Sequence, residues 1–374
     1  MMTNSSLAEE ERCTRDGEAL KVSDTLAAKS FTILGTSTAA DNCTEEPDFY
    51  KMIGHKIALC TADPYTANGD AAPDFTSCTV TLVESEAGAE IVIQPGVEAN
   101  LLAGAGELLI PIGSYSHAIL IASNHLYIKH SETYKKGGNA YTMAGYGASA
   151  YSTGTTCYST DRNSSTLTST TYSNTPTSGT SDGVTSISTT KVTSQGTTEN
   201  VVNPTTTSRT SLTLACADTI PTTGANRFGY VGEIIDSLND RVNGTTNCDD
   251  QGDGDADLKC SVTFGNYENY AGTEEYQGIQ GQAAFNLLKN DLTLADNRNE
   301  VRKVAYMLKF DTPLRITENT VSFKVNVSTS SSVSVDSHWA SGQAGGKVQA
   351  KKFGANPFGV QFLTKTRRAR GAWR

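Results

Sequence analysis

The stretch CDDQGDGDADLKC, from Cys248 to Cys260, sets Asp249, Asp250, Asp253, Asp255 and Asp257 between two cysteines. Calcium needs many hard oxygen ligands, and closely spaced aspartates supply them from one loop. Gly252 and Gly254 let the backbone bend tightly enough for carbonyl oxygens to join the side chains. Measured as an EF-hand loop from Asp249, the required glycine is Gly254, but the closing bidentate glutamate is replaced by Cys260. The chemistry expected is a weak calcium site of extracellular type. A solvated acidic turn is the competing reading.

Other residues that could do chemistry are weaker. His117, His125 and His130 lie close along SYSHAILIASNHLYIKHSETY, with His55 and His338 elsewhere. A zinc site needs three or four convergent ligands, which spacing does not establish, so these are expected as strand or turn residues. Asp336, Ser337 and His338 are consecutive, and neighbours on a strand point to opposite faces, so the tripeptide is no triad. No GxSxG elbow, HExxH helix or P-loop occurs, and no catalytic residue is assigned. Tyr267, Tyr270 and Tyr276, in FGNYENYAGTEEYQG, could form a stacking platform for a glycan.

The elements that position these groups follow from composition and pattern. The chain has 374 residues and a formal net charge of −10, which argues against nucleic acid as a partner. No run of about twenty apolar residues is present to span a bilayer as a helix. The eight cysteines, Cys13, Cys43, Cys60, Cys78, Cys157, Cys216, Cys248 and Cys260, are dispersed and form no CxxC pair. An even, dispersed set in a Thr/Ser/Gly-rich chain fits disulfides made in an oxidising compartment, against the alternative of buried free thiols. The pairing favoured is Cys157 with Cys216 and Cys248 with Cys260, leaving Cys13, Cys43, Cys60 and Cys78 to pair among themselves. The N-terminal MMTNSSLAEEER lacks the basic start and apolar core of a secretory signal. Removal of a signal, or release by virion assembly and lysis, would reconcile it with the cysteines.

Short alternating runs predict a mainly β fold of tandem antiparallel β-sandwich domains, with a Thr/Ser-rich insertion and one or two short helices. Residues 1–28 read as an extended N-terminal arm, 29–144 as a first β-sandwich, 145–213 as a Thr/Ser-rich excursion, 214–364 as a second β-rich domain and 365–374 as a basic tail. Tyr50–Cys60, Cys78–Glu84, Ala89–Gln94 and Ser114–Ser123 are strands of the first domain. In the excursion, partial order tied down at Cys157 and Cys216 competes with disorder. The pattern of GQAAFNLLKND, Gly281–Asp291, predicts a helix, while YVGEIIDSLND from Tyr230 fits a helical turn or a strand. TVSFKVNVS turns Val321, Phe323, Val325 and Val327 to one face, and VRKVAYMLKF is its expected hairpin partner. FGVQFLTKT, with Val360 and Phe362, closes the chain's strands.

Three resemblances attach to these residues. DQGDGDADLKC resembles the thrombospondin type 3 aspartate loop, which implies calcium at Asp249, Asp250, Asp253, Asp255 and Asp257, although that family runs in tandem and one copy occurs here. IPIGSY, Ile110–Tyr115, resembles the approach to a late strand in transthyretin-like β-sandwich modules. The blocks FYKMIGHKIALCTADP, GSYSHAILIASNHLYIKHSETY and GANPFGVQF are similar to cysteine-containing, Thr/Ser/Gly-rich β-proteins of marine α-proteobacteria and marine viruses, which implies a secreted or particle-borne surface protein.

The expectation is a non-enzymatic structural subunit of an extracellular assembly, at a cell surface or in a virion. It would self-associate through strand edges, with the N-terminal arm completing a neighbour's sheet. A calcium-assisted β-sandwich adhesin that binds a glycan or cell-surface receptor is the alternative. A hydrolase is a distant third.

Overall fold

The computed structural model of the chain describes residues 12–23, 40–65, 72–95, 110–146, 152–160, 214–224, 226–234, 238–239, 258–259, 261–262, 281–295, 301–330, 332–339, 347–355 and 358–366. Strands dominate them. In chain order these are β1 (Arg15–Asp16), β2 (Ala19–Lys21), β3 (Ala40–Glu45), β4 (Phe49–Cys60), β5 (Val80–Ile93), β6 (Gly113–Lys129), β7 (Ser131–Lys136) and β8 (Asn139–Ala140). There follow β9 (Met143–Ala144), β10 (Thr153–Gly154), β11 (Thr156–Ser159), β12 (Leu214–Ala217), β13 (Val231–Ile234), β14 (Leu238–Asn239), β15 (Leu258–Lys259) and β16 (Ser261–Val262). The last are β17 (Gly281–Leu288), β18 (Lys303–Ile316), β19 (Thr320–Ser328), β20 (Val333–Trp339), β21 (Val348–Ala355) and β22 (Gly359–Thr366). The helical content among the described residues is one 3-10 turn, Phe75–Ser77, begun by Asp74 accepting a hydrogen bond from the Thr76 amide at 2.9 Å. The fold is thus mainly β and sandwich-like.

Contacts divide the chain into two compact units, each assembled from three segments. One unit takes residues 1–51, 125–234 and 329–357, and the other 52–124, 235–328 and 358–374. This interleaving differs from the chain-order division at 28, 144, 213 and 364. Strand pairing joins residues far apart in sequence, so segments are sorted by their ladders and not by their order.

In the first unit, one sheet runs β1-β2-β7-β11-β12, with β8 on β7, and another runs β10-β9-β21-β20-β3. Tyr134 and Tyr158 of the first sheet and Val335, Ala350 and Phe353 of the second are all buried. The β13 strand lies antiparallel to the end of β6, Val231 opposite Ile128 and Ile234 opposite His125. The N-terminal arm is folded over its described part. Gly17, at φ +65°, turns β1 back onto β2, and β2 pairs in parallel with β7 of its own chain, Leu20 opposite Tyr134. Ala19, Leu20 and Val22 of this segment are buried within their own chain.

In the second unit the sheet runs β16-β17-β18-β6-β4-β5, and β19 pairs with β22. Phe310 packs edge-on to Phe362 at 5.5 Å between the two layers. The expected helix at Gly281–Asp291 is instead β17, paired along its length with Lys303–Phe310. Ala284, Phe285, Asn286, Leu287 and Leu288 are all buried. A segment covered on both faces carries no period of two, so its Ala and Leu content resembles a helix while the ladder decides otherwise. The expected hairpin of β18 with β19 is also corrected. β18 stays paired with β6 through a register shift between Lys309 and Leu314 that accommodates Pro313, and β19 pairs with β22 from Thr320 to Ser328.

Runs predicted as two strands, Cys78–Glu84 and Ala89–Gln94, form the single strand β5. Its inward side changes from Val80 and Leu82 to Ile91 and Ile93, a switch from even to odd positions. Gly88, at φ +82°, lies between the two runs.

Three disulfides join Cys13 to Cys43, Cys60 to Cys78 and Cys157 to Cys216; Cys248 and Cys260 lie outside the described residues. The last of the three bridges directly opposed residues of β11 and β12. It clamps the hairpin base from which the Thr/Ser-rich stretch leaves after Thr160 and to which it returns at Leu214. With a sequence separation of 59 between the cysteines, cross-linking stabilises by about 4 kcal/mol in the chain-entropy model. A Cys157→Ala, Cys216→Ala variant is expected to lose roughly that amount in urea unfolding. A loss below about 1 kcal/mol would mean that the β11–β12 ladder holds the base alone.

Candidate functional site

Asp249, Asp250, Asp253, Asp255, Asp257, Tyr267, Tyr270 and Tyr276 lie outside the described residues. The five histidines are spread over both units, and the described residues contain no metal-binding group of three or more His, Cys, Asp or Glu. His338 follows Asp336 and Ser337 along β20 and stands edge-on to Tyr146 at 5.6 Å.

The densest polar constellation is one that sequence reasoning missed. Even-numbered residues from Leu126 to Tyr134 all face inward, so the period that buries Leu126 and Ile128 also buries His130 and Glu132. A carboxylate only 3 % exposed needs compensation. Arg15 of the N-terminal hairpin provides it, donating to both Glu132 oxygens at 2.8 and 3.1 Å and to Glu45 at 2.9 Å. Burial opposes the Arg15 charge, yet the bonds and charges of Glu45 and Glu132 outweigh it and hold the guanidinium's pKa above its ordinary value. His130 Nε2 lies 3.0 Å from Glu132, and its Nδ1 faces Asp48 at 3.9 Å. The ring also packs edge-on to Phe353, centroids 4.9 Å apart. Arg15 thereby connects β1, β3 and β7. The signal for this network was present: continuing the alternation through HSETY puts a glutamate inside, and an inward glutamate demands an arginine.

A second constellation lies along β4, β6 and the approach to β13. The pairs Phe49 and Lys51, Tyr127 and Lys129, Phe228 and Tyr230 each stand two residues apart. They alternate across the strands as Tyr127, Lys51, Tyr230, Phe49, Lys129, Phe228. Lys51, 1 % exposed, has its ammonium 4.8 Å from the Tyr127 centroid and 4.6 Å from that of Tyr230. Lys129 lies 5.2 Å from Phe49 and 4.3 Å from Phe228. Ring faces already met by ammonium groups stiffen the strands and leave little face for a ligand to stack on. The F-x-K, Y-x-K and F-x-Y spacings are its trace in the sequence.

In the second unit, Ser116 Oγ and His117 Nδ1 are 2.9 Å apart, and His117 Nε2 is 3.7 Å from Asp63. Burial lowers the His117 pKa below 6.5, with Asp63 opposing and Lys309 adding to the effect. Burial, then the charge of Lys303, lowers that of His55 as well. Compared with known proteins, no family model, curated protein or solved structure matches the chain.

Two outcomes follow from these sites. Arg15→Met would leave Glu132 buried beside an uncharged chain, and is expected to cost about 2–3 kcal/mol in denaturant unfolding, reduced from a fully buried pair because Arg15 is partly exposed; an unchanged midpoint would remove Arg15 from its bridging role. For His117, the unfolded chain takes up its proton first as pH falls through 6.5, while the folded chain takes it up lower. Its contribution is complete above that pH and declines below it. The urea midpoint is expected to fall between pH 7.5 and pH 5.5, and less so in His117→Gln; equal falls would assign the acid sensitivity elsewhere.

Proposed function

We propose that the protein is a non-enzymatic structural subunit of an extracellular assembly such as a filament, surface layer or virion, meeting its neighbours through β-strand edges. The observation that carries this reading is where the disulfides sit. Cys157–Cys216 bridges two strands within a sheet, Cys13–Cys43 joins the β1 segment to the sheet that contains β3, and Cys60–Cys78 closes the connection between β4 and β5. Cross-links through the framework resist unfolding where no chaperone is at hand, and such bonds persist in oxidising surroundings. The Lys51 and Lys129 ladder stiffens the same framework. No helix among the described residues is long and apolar enough to cross a membrane.

Among the described residues β5 is the terminal strand of its sheet. Exposed Glu84, Glu86 and Glu90 restrain indiscriminate pairing there, leaving room for a selective partner. Calcium at Asp249, Asp250, Asp253, Asp255 and Asp257 belongs to the proposal as a control on assembly.

Native mass spectrometry and negative-stain microscopy of the unreduced protein, with calcium and with a chelator, test the reading. Ordered filaments, rings or shells are expected, and their loss on chelation would give the aspartate loop its role. A monomer at all concentrations would overturn the subunit reading and favour the glycan- or receptor-binding alternative through Tyr267, Tyr270 and Tyr276.

A further inference from the structure

We propose that the N-terminal hairpin exchanges between copies, seating residues 13–22 of one chain in a second copy and turning the Cys13–Cys43 bridge into an interchain disulfide. The proposal rests on the structural-subunit reading and supplies it with a contact.

The hairpin behaves as a plug in a socket. Ala19, Leu20, Val22 and Cys13 are buried. The Val22 amide donates to the Lys135 carbonyl at 2.8 Å, and the Cys13 amide to that of Thr44 at 3.2 Å. Arg15 grips Glu45 and Glu132. Every one of these partners belongs to β3 or β7, and the hairpin reaches β3 along the chain only through residues 24–39. That connection can span at most about 55 Å. A second copy's hairpin would therefore meet the same acceptors, the same carboxylates and the same Cys43.

Closed and exchanged forms make identical contacts, so their balance is set by concentration against the tether. The connection through residues 24–39 holds its own plug at an effective concentration on the order of millimolar. Dilute chains stay closed, and packed chains exchange. Each copy gives one plug and accepts one, so reciprocal exchange closes a dimer and one-way exchange propagates a filament.

The covalent step balances without an oxidant. The thiolate of a small thiol attacks Cys43 Sγ, forming a mixed disulfide there and releasing the Cys13 thiolate. Once that Cys13 is seated in a neighbour whose Cys43 carries the same small thiol, it attacks the Cys43 sulfur and expels the small thiolate. The number of protein disulfides is unchanged, and the small thiol is regenerated.

The test uses full-length chains, isotopically light and heavy, mixed and concentrated to roughly millimolar with a glutathione redox buffer. Free thiols are then alkylated, the protein is digested without reduction, and the disulfide peptides are weighed. Light–heavy hybrids are expected to approach about half of the Cys13–Cys43 peptides by random pairing, while the Cys157–Cys216 peptide remains unmixed as an internal reference. Microscopy of the same sample separates this proposal from the one beneath it. Ordered assemblies with unmixed Cys13–Cys43 peptides would overturn exchange and leave the subunit reading standing. Hybrid peptides in closed dimers alone would support exchange and overturn the extended assembly. Monomers with unmixed peptides would overturn both.

Discussion

A buried carboxylate must be met by a cation, and in this chain Glu132 is met by Arg15, which arrives from 117 residues away in sequence. Much of the first unit follows from that requirement. Arg15 can reach Glu132 only if the N-terminal hairpin lies on β7, and it can bond Glu45 at the same time only if β3 is close. The Cys13–Cys43 bridge makes the same connection covalently, so charge and sulfur chemistry hold one short segment in one place. Hydrophobic burial of Ala19, Leu20 and Val22 completes the contact.

The framework elsewhere is built on the same economy of long-range links. The pairing of β18 with β6 joins residues far apart in sequence, and the entropy of bringing them together is large. Disulfides lower that cost by restricting the unfolded chain, most for the widest loop, between Cys157 and Cys216. The alternating lysines and rings of β4 and β6 add contacts that tie neighbouring strands together on one face. The described residues, dominated by strands, gain their order from these cross-connections.

Particular residues show how far the sequence could be read. The alternation of Cys78, Val80 and Leu82 correctly turns those residues inward, and that of Val325 and its neighbours correctly marks β19. The Gly281–Leu288 segment misleads because burial on both faces erases the period of two. The partner of β19 misleads because a nearby strand seemed the natural one, whereas β18 was already occupied on both sides by β6 and β17. Of the candidate groups, Glu132 and His130 were legible in principle from the inward period of HSETY. Their cation was not, since nothing local relates Arg15 to them.

By itself, the sequence determined the local quantities: β class, the places where the chain turns and the face each alternating strand presents. These depend on backbone sterics and on each residue's preference for water, which neighbours in sequence largely settle. Only the tertiary structure decided the partners: β22 for β19, Arg15 for Glu132, Tyr127 and Tyr230 for Lys51, and the sorting of six chain segments into two units. Pairing is a choice among many distant candidates with nearly equal local preferences. It is resolved by the simultaneous satisfaction of hydrogen bonds, charge and packing in three dimensions.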